Sequence, residues 1–209
     1  MPVMPGTSSL PPTSKRTTPE TIGARLRAAL TELGPTFVKY GQILSTRPDL
    51  IGNDLCAELS RLQDRVEVLS FDSMRPIIEE DLGAPISSSF LEFNESPVAS
   101  ASLSQVYRAR TKTGREVAVK VQRPGVRAKV VSDISLLFGI AEWVTERVKE
   151  FAWMDPVGTV EEFERSILRE LDFTIEARVI QRFRTIYGND NRVFIPYVET
   201  GLSGPRVLT

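Results

Sequence analysis

The chain has 209 residues, 41% of them hydrophobic, enough to bury a core and natural for one domain with appendages. Its 26 basic and 27 acidic residues are interleaved and leave a net charge of −1, which argues against a nucleic-acid partner. One cysteine, Cys56, excludes an intramolecular disulfide and fits a reducing compartment, and with no histidine any chemistry rests on Lys, Asp, Glu or Ser.

Met1–Pro19 holds five prolines and seven serines or threonines, too little apolar surface to offset the entropy of ordering, and reads as a disordered leader over residues 1–19. It has no signal-peptide core, and no stretch approaches the ~18 apolar residues of a membrane span, so the chain reads as soluble and cytoplasmic. A helix opens near Thr18-Pro19-Glu20, carries Ile22, Leu26, Ala29, Leu30 and Leu33 on one face, and ends at Gly34-Pro35. On a second helix starting at Pro35, Phe37, Tyr40, Gly41 and Leu44 share one face while Lys39 and Gln42 share another. Spacing alone makes Lys39 and Gln42 a solvated pair. A mid-helix glycine, Gly41, costs up to ~1 kcal/mol against alanine and points to a close neighbour.

The pattern then predicts a helix over Asp54–Leu62, with Cys56 as a small buried side chain, and another over Ser70–Leu82, capped by Ser70 and stopped by Gly83. Pro76 sits at the limit of what that helix tolerates. Phe90–Phe93 is a short strand leading to the small residues Ala99, Ser100, Ala101 and Ser102, where backbone can approach a ligand closely. Two apolar-rich runs, Ser102–Arg110 and Glu116–Gln122, flank Thr111–Arg115, in which Gly114 supplies the positive φ of a hairpin loop. The second strand reads V-A-V-K and places Lys120 near its end; by itself such a lysine is most simply a solvated strand terminus.

Arg123-Pro124-Gly125 punctuates. A long helix over Lys129–Lys149 follows, with Ile134, Leu137, Phe138, Ala141, Val144 and Val148 inward. A second long helix, Val157–Tyr187, holds Glu170, Asp172 and Glu176, its two glutamates pointing in different directions. Val193–Val198 and Pro205–Leu208 read as short strands. The expected fold class is therefore α+β.

Four elements taken together carry a resemblance. L-G-P-T-F-V-K-Y-G-Q, the loop P-V-A-S-A-S, the strand V-A-V-K-V-Q-R-P-G and E-L-D-F-T-I-E-A are similar, in this order and spacing, to the KxGQ, alanine-rich-loop, strand-three lysine and ExD elements of UbiB-type atypical kinases, also called AarF-domain-containing kinases. The resemblance covers about Leu33–Thr209. It implies a protein-kinase-like small lobe over 86–209, with an antiparallel sheet of about five strands and a long helix, preceded by a helical KxGQ extension over 20–85. It further implies ATP with Mg²⁺ as cofactor, an alanine-rich loop at Ala99, Ser100, Ala101 and Ser102 over the nucleotide, and Lys120 on its α- and β-phosphates. Glu176 is assigned as the partner of Lys120, with a Glu170–Lys120 pair as the alternative. Glu170 and Asp172 are expected to face Lys39 and Gln42 as a regulatory element. Family members support ubiquinone or related isoprenoid-lipid metabolism at membranes, which implies quinone-biosynthesis proteins or lipids as partners and peripheral membrane association of the full-length protein. The catalytic aspartate and metal-binding carboxylates of kinases have no counterpart here, so no catalytic or metal residue is assigned, and the chain is expected to be a small-lobe fragment inactive alone. A non-catalytic interaction or scaffold module is the alternative.

Overall fold

A computed structural model describes residues 21–63, 67–148, 155–188 and 190–209. The expected leader over 1–19, the expected helix start at Thr18–Glu20 and Lys149 lie outside the described residues.

The sheet is built around the hairpin. Strand β3 (Ser104–Thr111) pairs antiparallel with β4 (Glu116–Gln122) from Ser104 opposite Gln122 to Arg110 opposite Glu116. Gly114, at φ 84°, turns the loop, and Thr111 closes it by accepting the Arg115 amide on its hydroxyl. Strand β1 (Phe90–Phe93), entered from the one-turn α5 (Ile86–Ser89), and the two-residue β2 (Ala99–Ser100) pair with β3, and β5 (Val207–Leu208) pairs with β4 through Lys120 opposite Leu208. Alternation sends Tyr107, Ala109, Val119 and Val121 to one buried face, where α4 (Phe71–Leu82) lays Met74 and Ile78 against them. Val119, Val121, Met74 and Ile78 each contribute ~1.5–3 kcal/mol by leaving water. Lys120 is thereby turned to the opposite face.

A second core is helical. It joins α1 (Ile22–Leu33), α2 (Pro35–Leu44) and α3 (Pro48–Leu59) to the long α6 (Val126–Arg147) and to α7 (Pro156–Glu170). Phe37, Leu59, Val130, Phe163 and Ile167 are its centre, and Thr36 fastens α2 to α6 by donating to Asp133 at 2.6 Å. Gly41 has the close neighbours its cost suggested: an added Cβ would lie 2.5 Å from Leu62 Cδ1 and 2.8 Å from Leu30 Cδ1. Packing thus departs from chain order, since α4 belongs to the sheet whereas α6 and α7 join the N-terminal helices.

Several expectations need correction. The single helix over Val157–Tyr187 is two, α7 and α8 (Phe173–Tyr187), because Asp172 is extended at φ −122°, ψ 96° and caps α8 by accepting the Thr174 amide at 3.0 Å. The strand expected over Val193–Val198 does not form. Its backbone is engaged elsewhere, the Ile195 carbonyl by Arg184 at 2.7 Å and the Val193 amide by Asp190 at 3.0 Å, and Pro196 has no amide to offer a ladder. On α1 only Leu30 of the apolar stripe is buried; Ile22, Leu26 and Leu33 are exposed. The helix expected from Asp54 starts at Pro48, kinked at Gly52, and Cys56 is only half-buried. The helix expected over Lys129–Lys149 starts at Val126. Ser70 holds the N-cap position of α4 without a side-chain cap bond, and Pro76 is accommodated inside the helix.

Candidate functional site

Asp172 fixes where α8 begins, and so which residues form its first turn. Phe173 and Glu176, three apart, share the face that meets β4. Lys120 Nζ lies 2.6 Å from Glu176 Oε2 and 4.6 Å from the centre of the Phe173 ring, which is itself buried against Val198 and Leu208. The ammonium is thus held by a carboxylate and an aromatic face of one helical turn. It opens into a cleft of about 480 Å³ with apolar walls at Val106, Ala118, Ile180 and Leu208. Phe194 to Glu199 form the far flank. That flank is held to the hairpin by Arg115, whose guanidinium lies 2.6 Å from Glu199 and 4.9 Å from the Tyr197 ring centre.

The small-residue segment is built into the sheet. Ala99 lies opposite Val106 and Ser100 opposite Gln105, and the Ala101 amide donates to the Ser104 carbonyl at 2.8 Å. Ser102 is buried and Ala101 exposed. These residues do not line the cleft themselves; Val106, the partner of Ala99, does. Arg123 holds the segment from beneath, donating to the Ala101 carbonyl at 2.8 Å, to Ser100 Oγ at 2.7 Å and to the Glu67 carbonyl at 2.6 Å. Two residues on from Glu67, Gln105 binds both the amide and the carbonyl of Leu69, and donates to Tyr107 Oη at 2.6 Å. The run from the helical extension into the sheet is therefore fastened at two points. Sequence reasoning missed both residues. Arg123 stood only as punctuation before Pro124, and its place directly after the lysine strand was the available signal.

Lys39 Nζ lies 2.9 Å from Glu170 Oε1, joining α2 to the end of α7. The other two residues of the expected regulatory group are used locally. Gln42 donates to the Leu62 carbonyl at 3.2 Å, and Asp172 accepts the amide and hydroxyl of Thr174. Between the two lysine–glutamate pairs, the buried Gln122 carboxamide reaches the Leu171 and Pro205 carbonyls at 2.5 and 3.2 Å. Near Lys39, Tyr40 packs edge-on to Phe163 with ring centres 5.1 Å apart, and burial pushes its hydroxyl up to about 12.

A five-stranded antiparallel sheet with a strand lysine paired to a glutamate on a packed helix is a kinase-like small lobe, here joined to a helical extension. The ABC1 atypical kinase-like domain matches residues 61–209, and the chain belongs to that family. A probable protein kinase UbiB of Pseudomonas putida strain GB-1 is 42% identical over 186 residues, covering 89% of this chain and 34% of the relative. Protein ACTIVITY OF BC1 COMPLEX KINASE 7, chloroplastic, of Arabidopsis thaliana is 44% identical over 184 residues, covering 88% of this chain and 26% of the relative. Rv3197 of Mycobacterium tuberculosis, solved in complex with erythromycin, superposes with a TM-score of 0.60 at 30% identity, covering 88% of this chain and 46% of that one. The chain spans about a third of the length of the UbiB relatives it matches. Among the described residues no helix is long and apolar enough to cross a membrane.

Proposed function

We propose that the chain supplies the ATP-binding small lobe, with its helical extension, of an atypical kinase or ATPase that serves quinone or isoprenoid-lipid metabolism. The observation that carries this reading is Lys120, held by Glu176 and Phe173 at the head of an apolar-walled cleft. A nucleotide needs an apolar slot for its base and a fixed cation for its phosphates, and the residues present fit both. Val106, Ala118 and Leu208 would flank the base. Lys120 would meet the α- and β-phosphate oxygens, with Glu176 keeping its ammonium oriented and Ala99 to Ser102 carrying backbone close to the phosphates. The magnesium-bound nucleotide would supply the transferable phosphoryl group. The quinone-linked role follows the names and family of the relatives and belongs to the proposal, as do peripheral membrane association and lipid or quinone-biosynthesis partners.

The test is a titration with a fluorescent ATP analogue, with and without Mg²⁺, of the parent protein, Lys120→Ala and a surface control, Arg108→Ala. Loss of one charge-assisted phosphate contact is expected to weaken binding by about tenfold or more in Lys120→Ala alone. Equal affinity in all three proteins would overturn the assignment, and no binding to any of them would favour an interaction module.

A further inference from the structure

Lys120 and Gln122 lie two apart on β4 and so project from the same face of the sheet, toward α8. Lys120 reaches Glu176 inside the helix, whereas Gln122 reaches the place where the helix begins. Its carboxamide nitrogen donates to the carbonyl of Leu171, the residue between Glu170 and Asp172, and to the carbonyl of Pro205. The Pro205 carbonyl also accepts the amide of Phe173, the first residue of α8, at 3.0 Å. Gln122 is itself fixed, its own amide donating to the Arg206 carbonyl at 2.9 Å and its residue paired with Ser104. One side-chain amide therefore ties the last turn of α7, the first amide of α8 and the lysine strand into a single hydrogen-bonded unit.

On either side of that unit stand the two ion pairs. Glu170, held by Lys39 of α2, immediately precedes the clamped carbonyl, and Glu176, holding Lys120, lies one turn into the helix whose start is clamped. We propose that Gln122 is a positioning residue that couples them: displacement of the α7 end on release of Lys39–Glu170 passes through the Leu171 carbonyl to the start of α8, and so to the placement of Glu176 at Lys120. The carboxamide is buried, and both carbonyls it serves lose this donor if it is removed, so the junction moves as one piece with β4 or comes apart from it. The meaning of this coupling rests on the reading of Lys120 and Glu176 as part of a nucleotide site, but the coupling itself is measurable without nucleotide.

The experiment is residue-resolved amide hydrogen exchange on the full chain for the parent, Lys39→Ala, Gln122→Met and the double variant, with Phe173 to Glu176 as reporters. Methionine keeps the volume and removes the donor. With Gln122 present, Lys39→Ala is expected to speed exchange at the start of α8 by about three- to tenfold. In the Gln122→Met background it is expected to add nothing at α8 while still speeding exchange in α2 and the last turn of α7. An equal acceleration of α8 in both backgrounds overturns the proposal, because the signal then bypasses Gln122. Should Gln122→Met not fold, Lys39→Ala and Glu170→Gln in the native background decide it. Acceleration of α8 by both supports the coupling, and changes confined to α2 and α7 overturn it. The nucleotide titration separates this from the functional reading: unchanged affinity in Lys120→Ala alongside coupled exchange removes the nucleotide site and leaves the coupling.

Discussion

The two lysine–glutamate pairs look alike by the usual measures. Lys39–Glu170 closes at 2.9 Å with side chains 27% and 41% exposed, and Lys120–Glu176 at 2.6 Å with 29% and 43%. Their surroundings differ. Lys120 rests on a buried aromatic ring beside a cleft, on the rigid central hairpin of the sheet, and a ligand could enter alongside it. Lys39 stands on a ten-residue helix and bridges α2 to the end of α7. Length and exposure therefore do not separate a cleft-facing pair from a latch between helices. The groups around each pair do.

The sharpest way to break the comparison is to remove the support of one pair only. Phe163 is buried and carries Tyr40, the neighbour of Lys39, edge-on. Phe163→Ala is expected to lower unfolding free energy by ~3–5 kcal/mol in denaturant titration and to loosen Lys39–Glu170 before Lys120–Glu176. Asp172→Ala acts on the other side. Loss of the cap is expected to cost about 1 kcal/mol and to fray the first turn of α8, seen as faster exchange at Thr174. Smaller still are Glu170→Gln and Glu176→Gln, each expected to change stability by less than about 1 kcal/mol because both carboxylates are well exposed, and by less again in high salt. A larger loss in Glu176→Gln would show that Phe173 and the cleft shield that pair from solvent.

The smallest effect at neutral pH comes from Tyr40→Phe. The folded hydroxyl is pushed above its unfolded value of 10.0, to about 12, so its stabilising share is complete below pH ~10 and is lost as pH rises toward 12, where the unfolded chain ionises first. The difference in melting temperature between parent and Tyr40→Phe is expected to stay constant up to pH ~10 and to shift against the parent above it. A constant difference through pH 12 would sink this account.

The sheet was legible in the sequence because period-two alternation and a glycine turn are local signals, and β1, β3 and β4 follow them closely. The helical core was legible as helices but not as a partnership, since nothing in α1 announces that Ile22 and Leu26 stay in water while α6 and α7 cover the extension's other side. Lys120, Glu176, Lys39 and Glu170 are all marked by the sequence, and the structure pairs Lys120 with Glu176 and Lys39 with Glu170. Gln42 and Asp172 are marked for a shared role; in the structure Gln42 serves the Leu62 carbonyl, 20 residues on, and Asp172 caps the helix that follows it. Asp172 could have been read as a cap from D-F-T, where a short carboxylate two residues before a threonine offers an alternative to continuing a helix. Gln122, Arg123 and Gln105 escaped because their amide or guanidinium groups act mainly on backbone groups, which carry no sequence letter.

Strand β4 has two edges of very different origin. One meets β3 across a short hairpin loop and can form as soon as those residues are made. The other edge and face wait for partners far along the chain: Glu176 is 56 residues from Lys120, and Pro205, whose carbonyl Gln122 reaches, is 83 residues from it. Closing such distances is the slow part of folding. The lysine strand is thus laid down early and furnished late. A one-residue slip during that wait would turn Lys120 and Gln122 to the core side together and expose Val121 in their place. The hairpin register is consequently the point at which a misfolded chain would lose the Lys120–Glu176 and Gln122–Leu171 links at once.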